Sequence, residues 1–136
     1  MTDPDWGAFL GAAEISSIKL GAIFGVTPDL RGDAEPLPEE WSFDIKHAFK
    51  VEGDHMFVRV MVESAGPGGE LSVDGVGTFE FSTPLNEANY DLQQRFYMET
   101  GVPAVIPTVR AAFNDLAMRM GMDCPPLGLV KYSTTN

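Results

Sequence analysis

Between Trp41 and Phe81 apolar and polar residues alternate with a period of two, and after Thr83 the period lengthens to that of a helix. That switch constrains the fold more than any single motif. In the first segment Phe43, Ile45, Phe49 and Val51 share one parity, while Asp44, Lys46, Lys50 and Glu52 take the other. A half-solvated antiparallel strand follows. Gly53 and Asp54 supply a turn, and Met56, Val58, Val60 and Val62 then oppose Arg59 and Glu63, which predicts a hairpin. Gly66, Pro67, Gly68 and Gly69 form the strongest turn signal in the chain. Leu71, Val73, Phe79 and Phe81 make one face of the next strand, in which Gly75 and Gly77 mark a bulge or a close backbone approach.

Upstream, residues 1–14 form a lead that is short and helical around Trp6 to Ala13. A strand over Ile15 to Val26 then places Ile18, Leu20, Ala22, Phe24 and Val26 on one parity. Residues 27–40 carry Asp29, Asp33, Glu35, Glu39 and Glu40 against Arg31 alone, and Pro28, Pro36 and Pro38 interrupt any ladder. This is a long acidic crossover loop, a length that in compact domains marks function. Downstream, Thr83 and Pro84 suit a helix start, and Leu85, Ala88, Leu92 and Phe96 recur at helical spacing up to Gly101. A second helix is predicted from Pro107, with Val109, Ala112, Phe113, Leu116, Ala117 and Met120 as its stripe and Gly121 at its end. Residues 122–136 should leave as an extended tail. The expected fold is a single α+β domain over 1–136, a four-stranded antiparallel sheet with two helices packed on one face.

The 136 residues hold 9 Lys plus Arg against 20 Asp plus Glu, a net charge of -11. Phosphate backbones are held by clustered Lys and Arg, so a nucleic-acid binder is excluded. The start Met1-Thr2-Asp3-Pro4-Asp5 has neither a basic nor an apolar segment of a signal peptide, and no run reaches the roughly 18 apolar residues of a spanning helix. A soluble, cytoplasmic protein without membrane association is expected. Cys124 is the sole cysteine, which removes an intrachain disulfide.

Catalytic patterns are missing. His47 and His55 are the only histidines; His47 sits on the apolar parity of its strand, where a packed or interface histidine is expected, and His55 sits at a turn. A small-ligand enzyme using His47 with Asp44 or Glu52 would need side chains that alternation sends to opposite faces. No nucleophile elbow, P-loop or dinucleotide fingerprint is present. An enzyme is not expected, nor any cofactor or metal. What stands out is seven Met, nine Phe, two Trp and three Tyr, a supply suited to adaptable apolar binding surfaces.

The stretch GVPAVIPTVRAAFNDLAMRMGMDCPPLGLV, from Gly101 to Val130, resembles the C-terminal half of the SecB family of export chaperones. Shared features are a Pro-rich entry, Ile-Pro opening a helix with an Arg three residues on, a Gly-containing helix end and a Pro-x-Leu-x-Leu-like segment. VDGVGTFEF, from Val73 to Phe81, is similar to the family's last strand, and Phe24-Gly25-Val26-Thr27-Pro28 to the exit of its first. The resemblance implies an ATP-independent holdase for unfolded or non-native polypeptides, assembled as a homotetramer (a dimer of dimers), without nucleotide or metal. It also implies a client groove between crossover loop and second helix, with Phe24, Leu37, Trp41 and Phe43 as client contacts, to which Leu30 is added as an apolar residue within the polar, Pro-rich loop. The best matches to the family's docking positions for the motor SecA, expected on the flat face of the sheet, are Gly21, Gly25 and Ser72, all uncharged. With the sequence running to Asn136, the family's C-terminal helix and acidic tail are expected to be missing or much reduced. Partners then range over an antitoxin of a toxin–antitoxin system and general export clients, with SecA disfavoured. The alternative is an adaptor that caps one dedicated partner.

Overall fold

The computed structural model describes residues 4–28 and 36–124; Leu30 and the expected tail beyond Cys124 lie outside the described residues. Helix α1 (Pro4–Gly11) leads into β1 (Ala13–Val26), followed by β2 (Ser42–Glu52), β3 (His55–Gly66) and β4 (Gly69–Phe81). All pairings are antiparallel and the order is β1-β4-β3-β2. Gly53, at φ 62°, closes the β2–β3 hairpin, and Gly69, at φ 131°, closes β3–β4. Consecutive strands β1 and β2 therefore occupy opposite edges of the sheet.

The alternation of β3 and β4 survives folding. Met56, Val58, Val60, Val62, Leu71, Val73, Phe79 and Phe81 are buried on one face, beneath the helices. β1 departs from the expectation of one continuous parity. Its register with β4 shifts between Ile15 and Ser17 and again between Leu20 and Ile23, each time by one extra residue in β1. Leu20 opposite Gly75 and Ile23 opposite Val73 therefore both face the helices, whereas Phe24, opposite Ser72, faces away. An ion pair lies at the second bulge. Asp74 stands opposite the extra residue, takes a two-pronged ion pair from Arg59 (Nη2–Oδ2 2.7 Å, Nε–Oδ1 3.0 Å), and lies beside Gly21, where a Cβ would stand 3.5 Å from Oδ2.

The helical segment also departs from expectation at its start and at the expected break between two helices. Asn86, not Thr83, begins it: its side chain accepts from the Ala88 N–H at 2.9 Å, and the Asn89 side chain accepts from the Asn86 N–H at 3.0 Å. A short turn (Glu87–Asn89) opens into α2 (Tyr90–Phe96), a π-helical turn (Tyr97–Gly101) and α3 (Val102–Arg119) without a break. Gly101 keeps helical angles, φ -63° and ψ -58°. It is a point of contact, not a stop, since a Cβ there would lie 2.9 Å from Val58 Cγ2. Helix α3 thus starts at Val102, with Pro103 in its first turn and Pro107 inside it. Gly121, at φ 65°, does end the helix as predicted, with Met122 N–H bonding Ala117 C=O at 3.0 Å and Gly121 N–H bonding Met118 C=O at 3.1 Å.

Packing explains Gly75 and Gly77 of β4. Val109 Cγ2 would be 2.6 Å from a Cβ on Gly75, and Val105 Cγ2 2.6 Å from one on Gly77, so α3 rests directly on the strand backbone. The N-terminal lead joins the same core: Phe9 meets Phe81 at 4.9 Å and Phe96 at 6.3 Å. Gly75→Ala or Gly77→Ala should destabilise the domain by about 1–3 kcal/mol through overpacking, read as a lower urea midpoint with unchanged m-value.

Candidate functional site

A helix with its side chains is about 10 Å across, whereas four strands spaced about 4.8 Å apart span about 14 Å between edge axes. One long helix cannot cover that width. Helix α3 lies chiefly over β4 and β3 and leaves the helix-side residues of both edge strands partly uncovered. The sheet therefore carries two apolar flanks of different chemistry.

The β1 flank is aliphatic and small. Leu20 and Ile23, 40% and 51% exposed, face Pro107, Ala111, Ala112 and Leu116 across a groove of about 770 Å3, with the Asp115–Arg119 ion pair (2.7 Å) at its rim. The β2 flank is aromatic. Phe43, 38% exposed, lies 5.8 Å from buried Phe113, and Phe49 lies 4.6 Å from Tyr97 and 6.5 Å from half-exposed Tyr90. Aromatic pairs at these separations add edge and offset contacts to their area burial. His47 belongs to this flank, where its Nδ1 bonds the Tyr97 hydroxyl.

The five residues expected as client contacts do not share one surface. Trp41 and Phe43 stand together at the β2 flank near the end of α3, and Leu37 is half-buried in the described part of the crossover loop. Leu30 lies outside the described residues. Phe24, 55% exposed, is on the opposite face, where it lines a cleft of about 350 Å3 with Asp44, Glu63 and Glu70. Of the three positions matched to SecA docking, Ser72 is on that face, but Gly25 pairs with Leu71 on the helix side, where a Cβ would collide with Met120. Sequence reasoning did not assign Leu20, Ile23, Phe49, Tyr90 or Tyr97 to a site. The available signal was Tyr90 and Tyr97 lying off the apolar stripe of their helix, one heptad apart.

Burial shifts three titratable groups in or near this flank. Burial lowers the His47 pKa and raises that of Tyr97 to about 12, so both stay neutral near pH 7. Burial also raises the Cys124 thiol, which keeps it protonated and unreactive. His55 touches Asp54 at 2.8 Å and Glu80 at 3.4 Å on the solvent side. Among the described residues no three His, Cys, Asp or Glu side chains converge as a metal site, and no helix is long and apolar enough to cross a membrane.

An antiparallel β1-β4-β3-β2 sheet with helices on one face defines a SecB-like fold, which the order of motifs implied. Among solved structures, the chain is similar to the SecB-like chaperone Rv1957 of Mycobacterium tuberculosis, in complex with a ChAD peptide from the Rv1956 HigA1 antitoxin. The TM-score is 0.69 at 16% identity, over 95% of this chain and 99% of that one. No family model matches the sequence, and no curated protein matches it.

Tyr97 and His47 each contribute to the pH response. A Tyr97 pKa of about 12 against an ordinary 10.0 means the unfolded chain loses its proton first, so stability falls as pH rises from 10 towards 12. His47, lowered from 6.5, stabilises above that value and loses its contribution as pH falls through and below it. Absorbance titration near 295 nm should show one late tyrosine, and Tyr97→Phe should abolish it.

Proposed function

We propose that the protein is an ATP-independent chaperone that holds unfolded or non-native polypeptides on the aromatic flank beside β2. The observation that carries this is the partly uncovered row of exposed Phe43, half-buried Phe49 and exposed Tyr90, which runs along α3, the π-helical turn and α2, in a chain whose charge of -11 keeps it soluble while apolar groups are displayed. A client segment that buries apolar side chains there gains roughly 25 cal/mol per Å2 before ordering costs are deducted. No step calls for nucleotide or metal.

The aliphatic flank suits a second copy of the chain. It combines Leu20, Ile23 and Ala111 with the free edge of β1, and an unpaired edge that is also apolar favours self-association. Assembly into a cytoplasmic homotetramer, as a dimer of dimers, fits that division of surfaces. An antitoxin is the favoured dedicated client, because the solved SecB-like chaperone it resembles holds an antitoxin peptide; with such a client the protein acts as an adaptor for one partner. SecA docking forms no part of the proposal.

Stoichiometric protein should suppress aggregation of a thermally unfolded client without ATP, measured by light scattering; absence of protection would sink the chaperone reading. Phe43→Ala should weaken client affinity by about 1–2 kcal/mol with an unchanged circular dichroism spectrum. Ile23→Asp should lower the oligomer mass measured by multi-angle light scattering. Capture of one antitoxin, as against a spectrum of polypeptides, separates the adaptor from the general holdase.

A further inference from the structure

The crossover-loop exit is pinned where the chain leaves α3. The Trp41 indole N–H donates to the main-chain carbonyl of Asp123 at 2.7 Å. Its ring lies across Gly66 and Gly68 of the β3–β4 turn: a Cβ on Gly66 would collide with the indole, and one on Gly68 would stand 3.0 Å from Cζ2. The strongest turn signal in the sequence thereby acquires a second reason, since it clears a bed for this ring. A parallel tie runs through buried Ser64, whose hydroxyl donates to the Ser42 carbonyl at 2.7 Å and shares a hydrogen bond with the Cys124 thiol.

Two consecutive residues at the loop exit, Trp41 and Ser42, are thus joined to two consecutive residues after α3, Asp123 and Cys124. Phe43 follows directly, with its ring on Phe113. We infer that Trp41 is a positioning residue: a clasp that holds the crossover-loop exit as the end wall of the aromatic flank and acts on client binding through Phe43, without itself touching the client. The inference rests on the chaperone function proposed above. An indole whose N–H is satisfied by the main chain, and whose ring is seated on glycines, has no open polar edge to offer a ligand.

The test uses the full chain with Trp6→Phe, which leaves Trp41 as the only tryptophan, and a reduced, alkylated polypeptide as a permanently unfolded client. Saturating client should leave the Trp41 emission maximum in place. Gly66→Ala, which displaces the ring without altering any group exposed to the client, should red-shift emission in the absence of client and weaken affinity roughly tenfold. Trp41→Phe, which keeps the ring contact and loses one hydrogen bond, should weaken affinity roughly threefold and remain folded by circular dichroism. A client-induced blue shift of Trp41, or parent affinity in both Gly66→Ala and Trp41→Phe, overturns the clasp. No client binding by the parent overturns the chaperone reading itself. If Gly66→Ala fails to fold, Trp41→Phe affinity and the parent emission decide alone.

Discussion

The contact on which the rest of this structure depends is the seating of α3 on Gly75 and Gly77. With Val105 and Val109 pressed to the strand backbone, the helix axis is held over the centre of the sheet at a height that side chains on β4 would forbid. Close seating maximises burial of Val58, Val60 and Val73, and fixes which parts of the sheet stay bare. A helix of ordinary width on a four-stranded sheet leaves two strips. The binding surfaces are the consequence of covering a wide layer with a narrow one.

The strips differ because their edge strands differ. β2 brings aromatics with an unbroken period of two, and the aromatics of the π-helical turn and α2 meet them. β1 brings aliphatics, and only through a bulge that keeps both Leu20 and Ile23 on the helix side. Asp74 lies opposite that bulge and accepts the Arg59 ion pair on the outer face. Acidity belongs to the same economy of surfaces: Asp44, Glu63 and Glu70 lie opposite the helices, where they keep the bare sheet face hydrated.

Much of the fold was legible in the chain. The β3 and β4 alternation, the Gly-Pro-Gly-Gly turn, the switch to helical spacing and the Gly121 stop are local signals, and each is where its residues placed it. The order of motifs implied the SecB-like fold that the structural comparison shows. Two helix-breaking signals misled. Gly101 and Pro107 suggested an interruption, yet Gly101 is required by the approach of Val58, and the missing Pro107 N–H is tolerated in a helix held by packing along its length.

The candidate site was legible only in part. Trp41 and Phe43 fall on one flank, while Phe24 is turned to the other face by a single inserted residue in β1. Composition and periodicity by themselves determined the strand and helix content, the element order, the turns and the acidic, aromatic-rich character, because each depends on neighbours a few residues apart. Tertiary structure alone decided which apolar residues remain uncovered, which edge each flank borders, and that Trp41 meets Asp123 across 82 residues of chain. Those outcomes depend on strand register and on where one helix rests, and no local pattern encodes a contact with so distant a partner.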